Sequence, residues 1–224
     1  MRDHPGPFRP LCVLVLLGAP GAFAQQSGRV APQSFDVTAF AGYQLNGDAT
    51  LSGGELEIGD SATFGAAFDL RVHSVVSLEL SWHYTKPTER FRAFNSQFTS
   101  SRPFGVATHY FQLGAMYVRN AGRRVEPYFG LTGGAALHLP EAIPLTDGTT
   151  LESGDTWRFA LAFMLGTKIW LTPNVGLRLE GRVFGPVVFG ADEFYAGTAR
   201  AGLAAPSSIP YLQFAFTAGL AFGK

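Results

Sequence analysis

Two patterns in this sequence bring together side chains that could do chemistry. The first is Ser81-Trp82-His83. In an extended chain, residues two apart point to the same face, so the Ser81 hydroxyl and the His83 imidazole could work as nucleophile and base. Such a pair also needs a third group, usually a carboxylate, to orient the base. His109 and His138 fall on other stretches, no G-x-S-x-G elbow occurs, and Ser-x-His arises often by chance. The plainer reading of His83 is a hydrogen-bonding residue in an interior. With the histidines scattered and one cysteine in the chain, no metal-ligand spacing emerges, and no cofactor is expected.

The second pattern is a set of charges placed at alternate positions inside otherwise apolar runs. They are Asp36, Asp69, Arg71, Glu79, Glu126, Arg158, Lys168, Arg178, Glu180 and Arg182. Charges in a narrow interior are costly unless paired and hydrogen-bonded. Equal numbers of acids and bases therefore predict, first, a plug of ion pairs. The sharper alternative is a gate in which Arg178 or Arg182 exchanges partners with Glu79 or Glu126 to admit water and ions.

The stretches that carry these residues define the architecture. Eight of them alternate apolar with small or polar residues. They lie at about 35–44, 62–72, 75–85, 107–118, 125–139, 157–170, 175–184 and 211–222. In the last, Leu212, Phe214, Phe216, Leu220 and Phe222 share one face, and Gln213, Ala215, Thr217 and Gly219 the other. Each run is close to the ~9–11 residues of a tilted membrane strand. The gaps alternate too: long at 45–61, 86–106, 140–156 and 185–210, short between. Short periplasmic turns and long outer loops mark an eight-stranded antiparallel up-and-down transmembrane β-barrel. A soluble lipocalin-type barrel also alternates, but its outer face would carry many more Lys and Glu. Here the polar faces are mostly Gly, Ala, Ser and Thr, which suit a cramped lumen. Trp82, Tyr84, Trp157, Trp170, Tyr128 and Tyr211, near strand ends, are expected to form interfacial girdles. Pro127 is expected at the start of the fifth strand and Pro186 just past the seventh.

Residues 1–24 read as a cleaved signal peptide, with Arg2 and Arg9, an apolar Leu11–Leu17 core and an Ala22-Phe23-Ala24 site. Cys12, the single cysteine, lies within that core rather than at a lipoprotein cleavage site. Residues 25–33 form a short N-terminal segment and 34–224 the barrel. Hydrophobic residues make up 46% of the chain, charged ones only 15%, and there are 27 glycines. Losing Arg2, Arg9 and Asp3 leaves 15 basic against 16 acidic side chains of the original 17 and 17. That balance argues against nucleic-acid binding, which needs a basic excess.

Phe35-Asp36-Val37-Thr38-Ala39-Phe40-Ala41-Gly42-Tyr43, Glu126-Pro127-Tyr128-Phe129-Gly130-Leu131 and Leu177-Arg178-Leu179-Glu180-Gly181-Arg182 resemble strands of small eight-stranded outer-membrane proteins, the OmpA, OmpX and OmpW-like group. The likeness extends over 34–224 and is one of pattern, without a motif for an activity. It implies a bacterial outer-membrane address and insertion by the barrel-assembly machinery. Such proteins usually end in an aromatic residue; here Phe222 is followed by Gly223 and Lys224. Some of these small barrels act on lipid acyl chains, but the His-x-Ser-Asn pattern of a lipid A deacylase is absent.

A specific role would be written in the long connections. The first (Asp48, Glu55, Glu57, Asp60) and third (Glu141, Asp147, Glu152, Asp155) are acidic. The second sets Lys86, Arg90, Arg92 and Arg102 among Phe91, Phe94 and Phe98. Arg beside Phe could grip the phosphates and sugars of lipopolysaccharide or a partner protein, or could simply pack and solvate a long loop. The fourth, with Asp192, Glu193 and Arg200, is otherwise Gly-, Ala- and Pro-rich and gives no chemical clue. The sequence thus predicts a structural or surface-interaction barrel, with a narrow pore for ions or small apolar solutes as runner-up and a lipid-modifying enzyme third.

Overall fold

In a computed structural model, the described residues are 33–51, 53–94, 99–100, 102–187, 194–196, 198, 203 and 211–224. The expected signal peptide, Phe98, Asp192, Glu193 and Arg200 fall outside them. No helix among the described residues is long and apolar enough to cross a membrane; the chain crosses with strands.

Eight long strands form the wall: β1 (Phe35–Asn46), β4 (Ser61–His73), β5 (Val76–Thr85), β7 (Phe104–Val118), β8 (Val125–Pro140), β11 (Thr156–Trp170), β12 (Val175–Val187) and β13 (Gln213–Gly223). Each pairs antiparallel with the next in that order, and β13 pairs back onto β1 from Gln213↔Asn46 to Gly223↔Asp36. The sheet is therefore closed and every inner edge is used, which is what a bilayer demands of a sheet. The turns between β4 and β5, β7 and β8, and β11 and β12 are short. Asn120 (φ 59°) and Gly122 (φ 78°) give the β7–β8 turn its left-handed positions.

Alternation sorts the faces as expected. Leu80, Leu113, Leu131, Leu165 and Phe216 are all more than half exposed on the outside of the wall, while Thr38, Glu79, Gln112 and Met164 are fully buried within. A belt this apolar belongs in hydrocarbon. Trp82, Tyr84 and Trp157 do stand on the lipid face near the outer rim, Tyr84 4.9 Å from the His109 ring and Trp157 6.3 Å from Phe111. Trp170, Tyr128 and Tyr211 do not. All three are buried, because their positions have inward parity: Trp170 follows Lys168 by two, Tyr128 follows Glu126, and Tyr211 precedes Gln213. Pro186 also differs from expectation. It lies inside β12, paired with Ala160 of β11. Among the described residues, pairing of β12 with β13 ends at Phe184, so Pro186 lies beyond the two-sided part of the ladder, where a missing N–H costs least.

The long connections are structured as well. β2 (Ala49–Leu51) and β3 (Gly54–Ile58) form a hairpin, and β6 (Thr88–Ala93) adds to β3 before continuing the ladder into β7. β9 (Ile143–Pro144) pairs with β10 (Thr150–Leu151). Leu51, Leu56, Phe91, Phe104, Ile143, Leu145, Phe194, Leu203 and Tyr211 meet in one apolar core above the outer mouth. Phe91, read from sequence as a candidate for gripping a ligand, is fully buried in that core, whereas Phe94 is 72% exposed.

Candidate functional site in the lumen

The lumen is filled in layers. Nearest the short turns, Arg71 of β4 reaches Glu126 of β8 at 3.2 Å. The second oxygen of Glu126 accepts the Gly122 N–H at 2.6 Å, and Arg71 Nε donates to the Gln33 carbonyl at 3.0 Å.

Above this lies a layer of opposed walls. Asp36, Asp69 and Glu79 are direct cross-strand neighbours on β1, β4 and β5. Like charges placed side by side destabilise a sheet, so the compensation must come from elsewhere. It comes from the far wall. Lys168 of β11 donates to Asp36 Oδ2 and Asp69 Oδ2, both at 2.6 Å. Arg178 of β12 reaches Asp69 Oδ2 at 2.9 Å and Glu79 Oε2 at 2.5 Å, and also bonds Glu180 on its own strand. Arg182 spans Glu79 Oε1 (2.6 Å), Glu180 Oε1 (2.9 Å) and the Ser81 hydroxyl (3.0 Å). The Tyr128 hydroxyl donates to Glu180 at 2.7 Å, and the Arg178 guanidinium lies 5.1 Å from the Tyr128 ring centre. In a closed ring of eight, β4 stands opposite β11 and β5 opposite β12. Lys168–Asp69, Arg178–Glu79 and Arg182–Glu79 are therefore diameters of the barrel, while Lys168–Asp36 and Arg178–Asp69 join strands three apart in the ring.

Glycine makes the room. A Cβ on Gly166 would lie 2.5 Å from the Tyr128 hydroxyl and 2.6 Å from the Leu179 carbonyl. Only a bare Cα lets Tyr128 lie flat and reach Glu180.

An aromatic layer follows. Phe40 lies 4.6 Å from the His83 ring, His83 lies 5.0 Å from Phe184, and Phe184 stacks on Tyr110 at 4.3 Å. The Tyr110 hydroxyl donates to Gln213 on the opposite strand. Gln112 and Thr132 complete the level, Thr132 donating to Gln112 at 3.1 Å. Beyond it, the Tyr195 hydroxyl donates to buried Glu89 at 2.6 Å where the lumen meets the outer cap. Burial in this apolar surrounding pushes the Glu89 carboxyl up to about 8, despite the opposing pull of the Tyr195 hydrogen bond. Sequence reasoning missed Glu89. Its signal is a lone acid between Thr88 and Arg90, two residues before the buried Phe91 and so on the same face, in a segment that alternation does not mark as strand.

The remaining sequence candidates fall apart from one another. Ser81 is held by Arg182, and neither ring nitrogen of His83 has a hydrogen-bond partner. His83 lies between rings rather than beside the serine hydroxyl. His109 is on the lipid face, accepting from Trp82 at 3.2 Å, and His138 bonds Thr108 at 3.1 Å. A Ser81–His83–acid cluster near the outer rim is thus not what these residues build. Arg158 turns away from the charge layer to the outer end, where it donates to the Phe194 carbonyl at 3.4 Å. Among the described residues, no group of three His, Cys, Asp or Glu side chains converges as metal ligands. In the cap, Lys86 pairs with Glu141 (2.7 Å) and Arg92 with Glu57 (2.6 Å).

No family model matches the sequence, and no curated protein matches it. Solved structures do. Neisserial surface protein A (NspA) is 17% identical with a TM-score of 0.51, over 87% of this chain and 99% of that one. The outer membrane protein OprG from Pseudomonas aeruginosa is 12% identical with a TM-score of 0.53, over 87% and 99%. At such identities the likeness speaks for the backbone alone. A closed wall of eight antiparallel strands, an apolar belt and charges turned inward give this chain the fold of the small eight-stranded outer-membrane β-barrels.

Proposed function

We propose that this protein is a non-conducting outer-membrane scaffold that presents its folded outer cap as an interaction surface, without catalysis or a cofactor. The observation that carries this reading is the row of diametric ion pairs, Asp69–Lys168, Glu79–Arg178 and Glu79–Arg182, closed off above by the Phe40–His83–Phe184–Tyr110 layer. An eight-stranded lumen is only wide enough for its side chains, and here opposite walls are tied together. Movement of an ion past them would require separating desolvated charges, each costly to leave alone. The chemistry then moves outward, to the cap with its acidic first and third connections, the exposed Phe94 and the half-exposed Arg92–Glu57 pair. Lipopolysaccharide or an extracellular partner is the ligand class such a surface would meet. Export through a cleaved signal at 1–24 belongs to the same reading.

The test is single-channel recording in a planar bilayer, with folding established by heat-dependent gel mobility in SDS. A silent bilayer from folded protein is the expected result. Steady unitary steps that change in Arg178→Ala or Glu79→Ala would overturn it in favour of a gated pore.

A further inference from the structure

The two ends of the barrel differ in charge. On the outer connections the exposed acids, including Asp48, Glu55, Asp60, Asp147, Glu152 and Asp155, outnumber the exposed bases Lys86, Arg90, Arg92 and Arg102. At the other end, among the described residues of the short turns and strand ends, no acidic side chain is exposed, and Arg119, Arg123 and Arg124 fall within the six residues that join β7 to β8.

That turn is held in a fixed shape. Asn120 and Gly122 take left-handed backbone conformations, and Arg123 N–H donates to the Asn120 carbonyl at 3.0 Å. Gly122 N–H is tied to the buried Glu126, and the Arg124 carbonyl accepts Trp170 N–H at 2.7 Å. Glu126 is committed to Arg71 and to Gly122, so it does not neutralise the turn. Among the described residues, neither Arg119 nor Arg123 is in an ion pair, and both are exposed. Directly beside the turn on the lipid face, the cross-strand pair Tyr117 and Phe129 stand 5.5 Å apart, 43% and 50% exposed. Aromatics at this depth mark where hydrocarbon gives way to headgroups, so the guanidinium groups lie at headgroup level.

We propose that the 119–124 turn is a binding site for an anionic phospholipid of the periplasm-facing leaflet, with Arg119 and Arg123 on the headgroup phosphate and the acyl chains along Tyr117 and Phe129. Guanidinium is the side chain suited to this, because its planar fork matches two phosphate oxygens at once. The fixed backbone means little ordering is needed on binding. A free phosphate would satisfy the arginines but not the aromatic pair, and the committed ligand is the lipid.

The test is native mass spectrometry of the protein refolded in a neutral detergent and titrated with phosphatidylglycerol or with phosphatidylcholine of the same chain length. Phosphatidylglycerol adducts should dominate, and the preference should fall about fivefold for each arginine removed in Arg119→Gln and Arg119→Gln/Arg123→Gln. These side chains are exposed, so heat-dependent mobility should be retained; Lys86→Gln in the outer cap should leave the preference intact. Equal binding of the two lipids, a preference that survives the double substitution, or displacement by inorganic phosphate as effective as by lipid would each overturn the proposal. None of these outcomes depends on whether the lumen conducts.

Discussion

Glu79 and Arg178 meet across the full width of the barrel, Oε2 of one 2.5 Å from Nη2 of the other, while the second oxygen of Glu79 holds Arg182 at 2.6 Å. One carboxylate on β5 thus fastens two guanidinium groups on β12. Replacing it with Gln leaves two buried cations short of a partner. Glu79→Gln is expected to destabilise the folded barrel by about 3–5 kcal/mol. Urea unfolding in lipid vesicles measures this, and Glu79→Gln combined with Arg182→Gln should cost less than the two single changes added together. Strict additivity would mean that the pair is not energetically coupled.

Gly65 lies where an added Cβ would come 2.0 Å from the Trp82 carbonyl and 2.7 Å from the Phe40 ring. The nearer obstacle is backbone of the neighbouring strand, which cannot move aside as a side chain can. Gly65→Ala should therefore cost about 1–3 kcal/mol by overpacking, and Phe40→Ala should fail to rescue it. Recovery of stability in the double variant would show that the ring, not the strand, sets the limit.

Leu131 stands 68% exposed at the middle of β8. If the belt is in hydrocarbon, Leu131→Arg costs about 2–4 kcal/mol of folding stability in vesicles, whereas a charge near the interface costs close to nothing. Leu171→Arg, in the β11–β12 turn, is the matched control. Equal effects of the two would contradict the membrane placement.

Glu89 carries a pH dependence for the outer cap. Its folded-state pKa is raised to about 8 from an ordinary 4.5 by burial. The folded cap holds the proton more tightly than the opened one, so its stability is greatest below about pH 4.5. It then declines through the window up to about 8, by at most about 1.4 kcal/mol per pH unit, and is level above it. Hydrogen exchange of β6 amides from pH 5 to pH 9, corrected for intrinsic exchange, reads this out. Glu89→Gln keeps an acceptor for the Tyr195 hydroxyl and should flatten the profile. A wild-type profile already flat would mean that Glu89 is ionised throughout.

The barrel was legible in the sequence because a membrane wall obeys a local rule. Lipid on one side and a crowded lumen on the other impose a period of two on every strand, and Phe214, Phe216, Leu220 and Phe222 repeat what Phe64, Phe68 and Leu70 state earlier. Charges at inward parity, such as Glu79 and Arg178, could be recognised for the same reason. Where the rule stops, the sequence says less. Trp170, Tyr128 and Tyr211 were expected at the interface from residue type, and their parity placed them inside. The long connections showed no period, yet Leu56, Phe91, Ile143 and Leu203 close into a core, because residues far apart in the chain supply its parts.

The sequence alone determined the number of crossing strands, the alternation of faces along the wall, and an interior of acids and bases. Only the closed tertiary structure decided who pairs with whom. Parity is a property of neighbouring residues, whereas partnership depends on closure: bringing β13 back to β1 puts β5 opposite β12 and β4 opposite β11. That closure places Asp36, Asp69 and Glu79 on one wall and Lys168, Arg178 and Arg182 on the other. It also lifts Arg158 away from them to the outer end and sets Glu89 beneath Tyr195.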